Sequence, residues 1–328
     1  MTGLTRRQIA LMLGAAPYLA LGRAAFAQQE WPNKVITYVV PYPPGGTTDV
    51  LGRLIAAKLA PALKATMVVE NKSGATGTIG TQAVARAAPD GYTLLGTSTG
   101  PQSIVPNLNP KLGYDPEKSF APIILIGTIP SVLIVGGNSP FRSMDDIVQA
   151  AKKDPGNITY ASGGIGTILH ISGELLQLKA GIKLLHVPYR GDTPAIQDVV
   201  AGNVAMMFAP TTPIVSHIKS GTLRAIAVAS AQRLKGLPDV PTTAEVGLKD
   251  AEAEQWQAVY APAGTPADIV ERLNKEINQL LGEPETVTLL DQLGVTPLGG
   301  SPQRLGDWQK AELAKWRDVI AQANVKVE

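Results

Sequence analysis

Two glycine-rich segments of this sequence have the residue types of an anion-binding loop. Residues 41–49 (PYPPGGTTD) and residues 161–167 (ASGGIGT) each lie between a β-branched run and a stretch of helical periodicity. Glycine lets the backbone approach a ligand closely, the N–H groups at the start of a helix are free to hold an anion, and hydroxyls add donors. Because ligands of open α/β sheets bind at the carboxyl ends of strands, each loop predicts half of an anion site.

The spacing of the glycines limits the kind of anion. A phosphate loop needs the pattern GxxxxGK[ST] and a dinucleotide site needs GxGxxG, and neither occurs at either loop. Residues 74–80 (GATGTIG) also have the wrong glycine spacing. We therefore expect a small, singly charged group at each loop, most simply a carboxylate held by neutral donors. The alternative for either loop alone is a tight turn between a strand and a helix.

Residues 96–100 (GTSTG) match the GxSxG pattern of a hydrolase nucleophile elbow, with a predicted strand before them and histidines downstream. Three prolines between positions 101 and 110 interrupt the helix that such an elbow requires. We therefore expect Ser98 and Thr99 to offer hydroxyl groups to a ligand at a strand end. A secreted serine hydrolase that uses Ser98 is the alternative from the enzyme class.

Five further residues each have two interpretations. Asp49, in the first turn of a predicted helix, is expected to satisfy the helix dipole and pin its loop, with ligand contact as the alternative. His170, about one turn into the helix after the second glycine loop, faces either the cleft or the core. Asp192 either caps the following helix or points into the cleft, where it would favour a ligand with a donor at its far end. Trp256 and Phe208 are more often core residues than pocket walls.

The composition excludes several functions. The chain of 328 residues has no cysteine, which excludes disulfides, thiolate metal sites and cysteine nucleophiles. Its three histidines, His170, His186 and His217, are widely separated, so we expect neither a metal site nor a cofactor. The net charge is +2, but the first 27 residues hold three basic residues and no acidic ones, so the remainder has 26 basic against 27 acidic residues. This balance does not indicate nucleic-acid binding.

The first 27 residues have the features of a removable export signal. Arg6 and Arg7 form a positively charged start, residues 9–21 are mostly apolar, and residues 25–27 (AFA) form a small-x-small cleavage site. The apolar run is too short to span a bilayer. The paired arginines resemble a twin-arginine signal. We expect export to the periplasm with cleavage after Ala27, and the alternative is an uncleaved amphipathic anchor.

Short β-branched runs alternate with stretches of helical periodicity throughout residues 28–328, which predicts an α/β protein with largely parallel sheets. This length suffices for two domains with separate cores. The predicted division is a signal peptide, a first lobe in two pieces and a second lobe: residues 1–27, residues 28–128 with 256–328, and residues 129–255. Two crossings between the lobes predict a hinge over a ligand cleft.

The first crossing is expected within residues 123–135, where Gly127 and Pro130 interrupt two strand-like segments. The second is expected near residues 255–261, before an amphipathic helix that opens at residues 265–268 (TPAD). The apolar face of this helix needs a sheet to cover, and the first lobe has few helices of its own. We expect the C-terminal segment to pack on the first lobe, including Trp308, Leu313, Trp316 and Ile320.

Longer motifs run along the chain: WP at 31–32, PPGGTTD at 43–49 with Arg53, VENK at 69–72 with GTIG at 77–80, APDGYTL at 88–94, YDP at 114–116, HISGE at 170–174, HVPYRG at 186–191, LPDVPT at 237–242 and APAGTP at 261–266. With these motifs the chain closely resembles the substrate-binding receptors of tripartite tricarboxylate transporters, the Bug-type extracytoplasmic receptors. The resemblance covers essentially all of residues 28–328.

The resemblance implies a two-lobed periplasmic-binding-protein fold, type II-like, with two crossings between lobes that close on a small organic acid. In such receptors the first βα loop and the second lobe's glycine loop grip a ligand carboxylate, partly through ordered water. This carries over to the following residues: Gly45, Gly46, Thr47, Ser162, Gly166 and Thr167. With the residues discussed above, the candidate ligand-binding set is Tyr42, Gly45, Gly46, Thr47, Asp49, Ser98, Thr99, Ser162, Gly166, Thr167, His170, Asp192 and Phe208.

Two positions depart from the family pattern. The second-lobe helix usually opens with a run of serines before its histidine, whereas this chain has Thr167, Ile168 and Leu169 there. Asp192 stands where a small residue is common. Both changes alter the lining expected around the far end of the ligand.

The predicted function is a periplasmic solute-binding protein, not an enzyme, that captures a small carboxylate. The resemblance implies that it delivers this ligand to the integral membrane permease subunits of a tripartite transporter. We expect a monomer. The alternatives are a receptor that presents its ligand to a sensor protein and the secreted hydrolase described above.

Overall fold

A computed structural model describes residues 31–109 and 111–325 of the chain. The export signal and cleavage site predicted for residues 1–27 lie outside the described residues. Within the described ranges, the longest apolar helices fall short of what a bilayer crossing requires.

Strands and helices alternate along the described chain, as the periodicity predicts. The strands are β1 Ile36–Val40, β2 Met67–Asn71, β3 Thr93–Ser98, β4 Phe120–Gly136, β5 Thr159–Ser162, β6 Leu185–Pro188, β7 Met206–Pro210, β8 Leu223–Val228, β9 Glu254–Pro262 and β10 Thr296–Pro297. The helices are α1 Thr47–Leu63, α2 Thr78–Ala85, α3 Val105–Leu108, α4 Met144–Lys153, α5 Ile168–Ala180, α6 Asp192–Ala201, α7 Thr211–Lys219, α8 Ala267–Gly282, α9 Pro284–Gln292 and α10 Pro302–Ala323.

Local signals explain where several helices begin and end. Ser143 caps α4 through a capping box, because its hydroxyl accepts from the N–H of Asp146 while the Asp146 carboxylate accepts from the N–H of Ser143. Thr167 caps α5, and Gly181 ends that helix in the left-handed conformation with φ 62°. The start of α5 therefore fixes the end of the second glycine loop.

The two lobes repeat one strand order. In the first lobe, parallel strands run β2-β1-β3, followed by antiparallel β9 and the first part of β4. In the second lobe, parallel strands run β6-β5-β7, followed by the last part of β4, which also pairs with β8. The strand order reverses at β1 and β3 in one lobe and at β5 and β7 in the other. Ligand crevices of open α/β sheets form at such points of reversal.

The first crossing is one continuous strand of 17 residues, β4, rather than the two segments that the sequence predicted. Its residues up to Pro130 pair with β9, and those from Ser131 onward pair with β7. Pro130 lies where the strand changes partner, so its missing N–H does not break a ladder. Gly127 follows a shift of register in the pairing with β9. β4 therefore joins the two lobes directly.

The C-terminal helix α10 packs on both lobes. Leu305 and Trp308 belong to an apolar cluster of the first lobe, whereas Trp316 and Ile320 belong to the core of the second. The prediction that the whole C-terminal segment covers the first lobe is therefore wrong for the last two turns of α10. A helix of 22 residues is about 33 Å long, which is enough to reach across both lobes.

Candidate ligand-binding cleft

The loops after β1 and β3 meet in the first lobe's half of the cleft. The hydroxyl of Tyr42 lies 2.8 Å from the hydroxyl of Ser98, so a hydrogen bond joins the two loops where the strand order reverses. Burial raises the pKa of Tyr42 to about 12, against the opposing effect of the bond to Ser98, and the phenol is neutral at pH 7. A side chain at Gly77 would touch Tyr42 and Pro101, so the loop after β2 reaches the same place.

Asp49 anchors the first glycine loop. Its carboxylate accepts hydrogen bonds from the N–H of Gly45 at 2.9 Å, from the Asn71 amide at 2.8 Å and from Arg53 Nε at 3.0 Å. Burial alone would raise the pKa of Asp49, but the bonds from Arg53, Gly45 and Asn71 outweigh it and lower the pKa. Both carboxylate oxygens are engaged within the protein, so Asp49 supports the loop, and the alternative of ligand contact does not fit its geometry.

The start of α1 presents donors to open space. Gly46 is the residue before the helix, and no side chain among the described residues caps the first turn. The first N–H groups of an α-helix have no partner within the helix. Gly45 and Gly46 are exposed, and no atom lies within 4 Å of the position that a side chain at either would take. Free N–H groups beside an empty space fit an anion.

The second glycine loop is held by its own hydrogen bonds. Thr167 donates its hydroxyl to the carbonyl of Gly164 at 2.8 Å and accepts from the N–H of His170 at 3.3 Å. The N–H of Gly166 donates to Nδ1 of His170 at 3.3 Å. The predicted donors Gly166 and Thr167 are therefore used to shape the loop. In the first turn of α5 the N–H of His170 is capped by Thr167, whereas those of Ile168 and Leu169 have no partner inside the helix.

Three rings stack beneath this loop. The ring centroids of His170 and His186 are 4.1 Å apart, and those of Tyr160 and His186 are 4.8 Å apart. Ser162 Oγ lies 2.7 Å from His186 Nε2, and Glu174 accepts a hydrogen bond from Tyr160. Burial, with the nearby His186, lowers the pKa of His170 to about 3, and burial lowers the pKa of His186 to about 4. Both histidines are neutral at pH 7 and support the loop.

Of the two interpretations of His170, the structure favours the core. The side chain is 5% exposed, and its Nε2 lies 3.8 Å from Glu174 Oε1 on the side away from the loop bond. Ser162 is fully buried beside it. Neither side chain offers a free polar group at the cleft surface. They act on a ligand through the loop that they hold.

Asp192 lies against the second glycine loop. It is the first residue of α6, and the cap position belongs to Gly191, so the capping interpretation of Asp192 does not hold. A side chain at Gly163 would overlap with Asp192 Oδ1. The N–H of Gly191 donates to the carbonyl of Gly163 at 3.0 Å, and the N–H of Tyr189 to that of Ser162 at 2.9 Å. The two loops are therefore tied side by side.

Two further members of the predicted set, besides Asp49, Ser162 and His170, offer no group at the cleft surface, which corrects the sequence interpretation. Thr99 is fully buried, and its hydroxyl accepts from the N–H of Trp256 at 2.8 Å. Phe208 is 3% exposed and belongs to the core of the second lobe, where it pairs across strands with Leu133. Both side chains stabilise the strands that carry the loops. Trp256 is fully buried, as expected.

The hydrolase interpretation of Ser98 is not supported. Its hydroxyl bonds to Tyr42, and among the described residues no histidine hydrogen-bonds to it. The GTSTG segment continues into a π-helical turn and then α3, which has four residues, so the long helix of a nucleophile elbow is absent from this part of the chain. In the described ranges, no three metal-ligating side chains cluster in a way that could hold an ion.

Sequence reasoning missed several residues of the site. Gly77 was set aside because its glycine spacing does not suit phosphate, yet it lies beside Tyr42. Gly163 was recognised only as part of the second glycine loop, and its missing side chain makes room for Asp192. The contacts of His186 depend on the tertiary packing of β5 against β6, which no local pattern reveals.

Two lobes repeat one strand order and are joined by β4 and by the chain leading into β9. The first lobe carries an uncapped helix start with open space beside it. This architecture defines a two-lobed solute-binding protein. The chain belongs to the tripartite tricarboxylate transporter receptor family: its residues 51–325 match the family model, TctC. The resemblance seen in the motifs is thereby confirmed.

Three solved structures are similar along almost their whole length. The periplasmic binding protein BugD is 37% identical, with a TM-score of 0.80, and the match covers 91% of this chain and 100% of that one. An R. palustris protein with adipate is 34% identical, with a TM-score of 0.83 and coverage of 90% and 99%. MatC from Rhodopseudomonas palustris with bound malate is 32% identical, with a TM-score of 0.79 and coverage of 88% and 99%. The family and these structures are binding proteins.

Proposed function

We propose that this protein captures a small organic carboxylate in the periplasm and delivers it to the integral membrane subunits of a tripartite transporter. The observation that carries the proposal is the uncapped start of α1, where Gly45 and Gly46 leave open space beside free N–H groups. A carboxylate is the anion that such neutral donors suit, since no lysine or arginine is needed to hold a single charge.

The ligand contacts that we propose come from both lobes. In the first lobe they are the N–H of Gly46 and the hydroxyl of Thr47, with Gly45 leaving room for the ligand while its own N–H is held by Asp49. In the second lobe they come from the first turn of α5 after Thr167. The closed form binds the ligand more tightly than the open form, because only in the closed form do both lobes contact the same ligand. Ligand binding therefore favours closure. No bond in the ligand is made or broken. The protein acts as a monomer in this proposal.

Relatives support the carboxylate class. The two R. palustris structures were solved with adipate and with malate, which are both small dicarboxylic acids. BugD is described as a periplasmic binding protein, which fits the export signal that residues 1–27 predict. The sensor and hydrolase alternatives have no support from these relatives or from the site.

A thermal-shift screen of the purified protein tests the proposal. The panel contains succinate, adipate, malate, citrate, an amino acid and an aromatic acid, each beside its methyl ester, which has the same shape without the charge. A ligand at 100 times its Kd stabilises the folded state by about 2.7 kcal/mol. We expect at least one acid to raise the melting temperature by several degrees and its ester to leave it unchanged. If no small acid stabilises the protein, or esters do so equally, the carboxylate function is wrong.

Delivery to a permease requires a separate test. Deleting the gene for this protein should abolish uptake of the radiolabelled acid. Deleting the genes for the integral membrane subunits should abolish it to the same extent. Uptake that persists without this gene would contradict a transport role. A response to the acid that needs this protein and a sensor, with uptake unchanged, would favour the ligand-presenting alternative.

A further inference from the structure

Asp192 is a half-buried carboxylate with no partner. Among the described residues no donor hydrogen-bonds to it, and no basic group lies within ion-pair distance, although its neighbour Arg190 is exposed and close in sequence. Burial is the only cause acting on its pKa, which rises to about 6. At pH 7.5 the group is therefore mostly ionised and lacks the compensation that buried charges normally have.

The contrast with Asp49 shows that this arrangement is specific. Both acids lie in the first turn of a helix that follows a parallel strand, Asp49 after the first glycine loop and Asp192 after the short connection from β6. Asp49 accepts hydrogen bonds from Gly45, Arg53 and Asn71, and its pKa is lowered. Asp192 has none of these. The Asp49 carboxylate holds its loop, whereas the Asp192 carboxylate is free to bind a ligand.

Asp192 lies against the glycine loop that the proposed function assigns to the ligand. Its Oδ1 lies over Gly163, where a side chain would overlap with it. Three residues further along the same loop, a side chain at Gly166 would touch Leu108 at 3.2 Å. Asp192 thus lies against one end of the glycine loop, and Leu108 against the other. A ligand that contacts the loop at Gly163 would lie next to the Asp192 carboxylate.

We propose that Asp192 makes the cleft selective for acids that carry an ammonium group away from the bound carboxylate, and against plain dicarboxylates. This inference rests on the proposed function and specifies its ligand class. An ammonium group donates to the unpaired carboxylate and neutralises its charge in a half-buried place, where such bonds are stronger than in water. The second carboxylate of a dicarboxylate would instead meet a like charge.

Matched pairs of acids test the selectivity by isothermal titration calorimetry at pH 7.5. The probes are aspartate against succinate, glutamate against glutarate, and 4-aminobutyrate and 6-aminohexanoate against glutarate and adipate. We expect the wild-type protein to bind the ammonium member of at least one pair ten times more tightly. Equal affinity within every pair, or a preference for the dicarboxylates, would overturn the inference.

The Asp192→Asn variant removes the charge and keeps the shape. We expect it to lose at least tenfold in affinity for the preferred ammonium acid and to gain affinity for the matched dicarboxylate. Asp145→Asn is the control, because Asp145 is also in the first turn of a helix but is exposed on α4. It should behave like the wild type. A preference that is the same in Asp192→Asn and in the wild type would sink the inference.

A second variant tests the inference independently, in case Asp192→Asn does not fold. Gly163→Ala adds a side chain that would overlap with Asp192 Oδ1, so the carboxylate must move. Gly163 does not have a positive φ, and alanine suits its backbone. We expect selectivity to fall as in Asp192→Asn, and unchanged selectivity in both variants would contradict the proposal. If wild type and variants bind dicarboxylates alike, only this inference fails, whereas absence of any acid binding overturns the proposed function as well.

Discussion

The N–H of Gly45 donates to Asp49 Oδ2 at 2.9 Å, a hydrogen bond that folds the first glycine loop back onto the start of α1. No side chain among the described residues caps the N–H groups that follow, and the space beside Gly45 and Gly46 is open. The same carboxylate holds Asn71 and Arg53, so one buried acid fixes the geometry of half of the site.

Replacing Asp49 by alanine should loosen this loop. The N–H of Gly45 and the Asn71 amide would lose their acceptor, and leaving such groups unpaired costs about 1–3 kcal/mol each where they are buried. We expect a loss of about 2 kcal/mol in urea unfolding together with weaker carboxylate binding. Arg53→Ala is the comparison and should cost less, because its guanidinium is half exposed and Gly45 and Asn71 still bind the carboxylate. Equal stability of Asp49→Ala and wild type would contradict the anchoring role.

Acid should destabilise the second lobe through His170. Its pKa is lowered from an ordinary 6.5 to about 3 by burial and by His186. Between these two pH values the histidine binds a proton in the unfolded chain but not in the folded protein. The free energy of unfolding therefore has its full value above pH 6.5 and decreases as the pH falls below it. The slope is at most about 1.4 kcal/mol per pH unit for one group.

The measurement is urea unfolding of wild type and His170→Asn between pH 4.5 and pH 7.5. Asparagine keeps an acceptor for the N–H of Gly166 but does not titrate. We expect the variant to be less stable than wild type at pH 7.5 and to close that gap as pH falls. If the difference in free energy of unfolding between the two proteins is the same at every pH, His170 does not have a lowered pKa in the folded state.

Trp316 should stabilise the second lobe although it lies near the end of the chain. It is fully buried in the second-lobe core, and its indole donates to Glu312 at 2.8 Å. Replacing a buried tryptophan by alanine costs about 3–5 kcal/mol. Thermal unfolding of Trp316→Ala should show a loss of this size. A loss below 1 kcal/mol would mean that α10 packs only on the first lobe.

Thr99→Val should separate stability from binding. The variant removes the hydroxyl that accepts from the N–H of Trp256, and the buried N–H left behind costs about 1–3 kcal/mol. Because Thr99 is fully buried, we expect the affinity of the folded protein for its carboxylate to stay within about twofold. Calorimetry at a temperature where the variant is folded measures this. A tenfold loss of affinity would return Thr99 to the set of ligand contacts.

The alternation of strands and helices was predictable because the local spacing of apolar residues differs between strands and helices. The prediction missed the continuity of β4, since Gly127 and Pro130 are signals for a break that the change of partner at Ser131 makes harmless. The end of α10 was assigned to the wrong lobe for a similar reason. Local periodicity identifies the apolar face of a helix but not the core that covers it.

In the site too, features set by neighbouring residues in the sequence were predictable, and features set by tertiary contacts were not. The loop at Gly46 was predictable, because a glycine pair before a helix is a local signal. The assignments of Thr99 and Phe208 were wrong, since a residue at a strand end faces the core or the cleft according to neighbours that are distant in sequence. The pairing of Ser162 with His186, across β5 and β6, depends on packing in the same way.

Calorimetry on a Gly46 variant tests the central claim most directly. Gly46 has φ −78°, and no atom lies within 4 Å of a side chain placed there, so Gly46→Leu should fold normally while filling the space assigned to the carboxylate. Gly282→Leu is the matched control, because Gly282 is exposed and equally uncrowded at the end of α8. We predict that binding of the acid found by thermal shift is lost in Gly46→Leu and unchanged in Gly282→Leu. Wild-type affinity in Gly46→Leu would contradict the account.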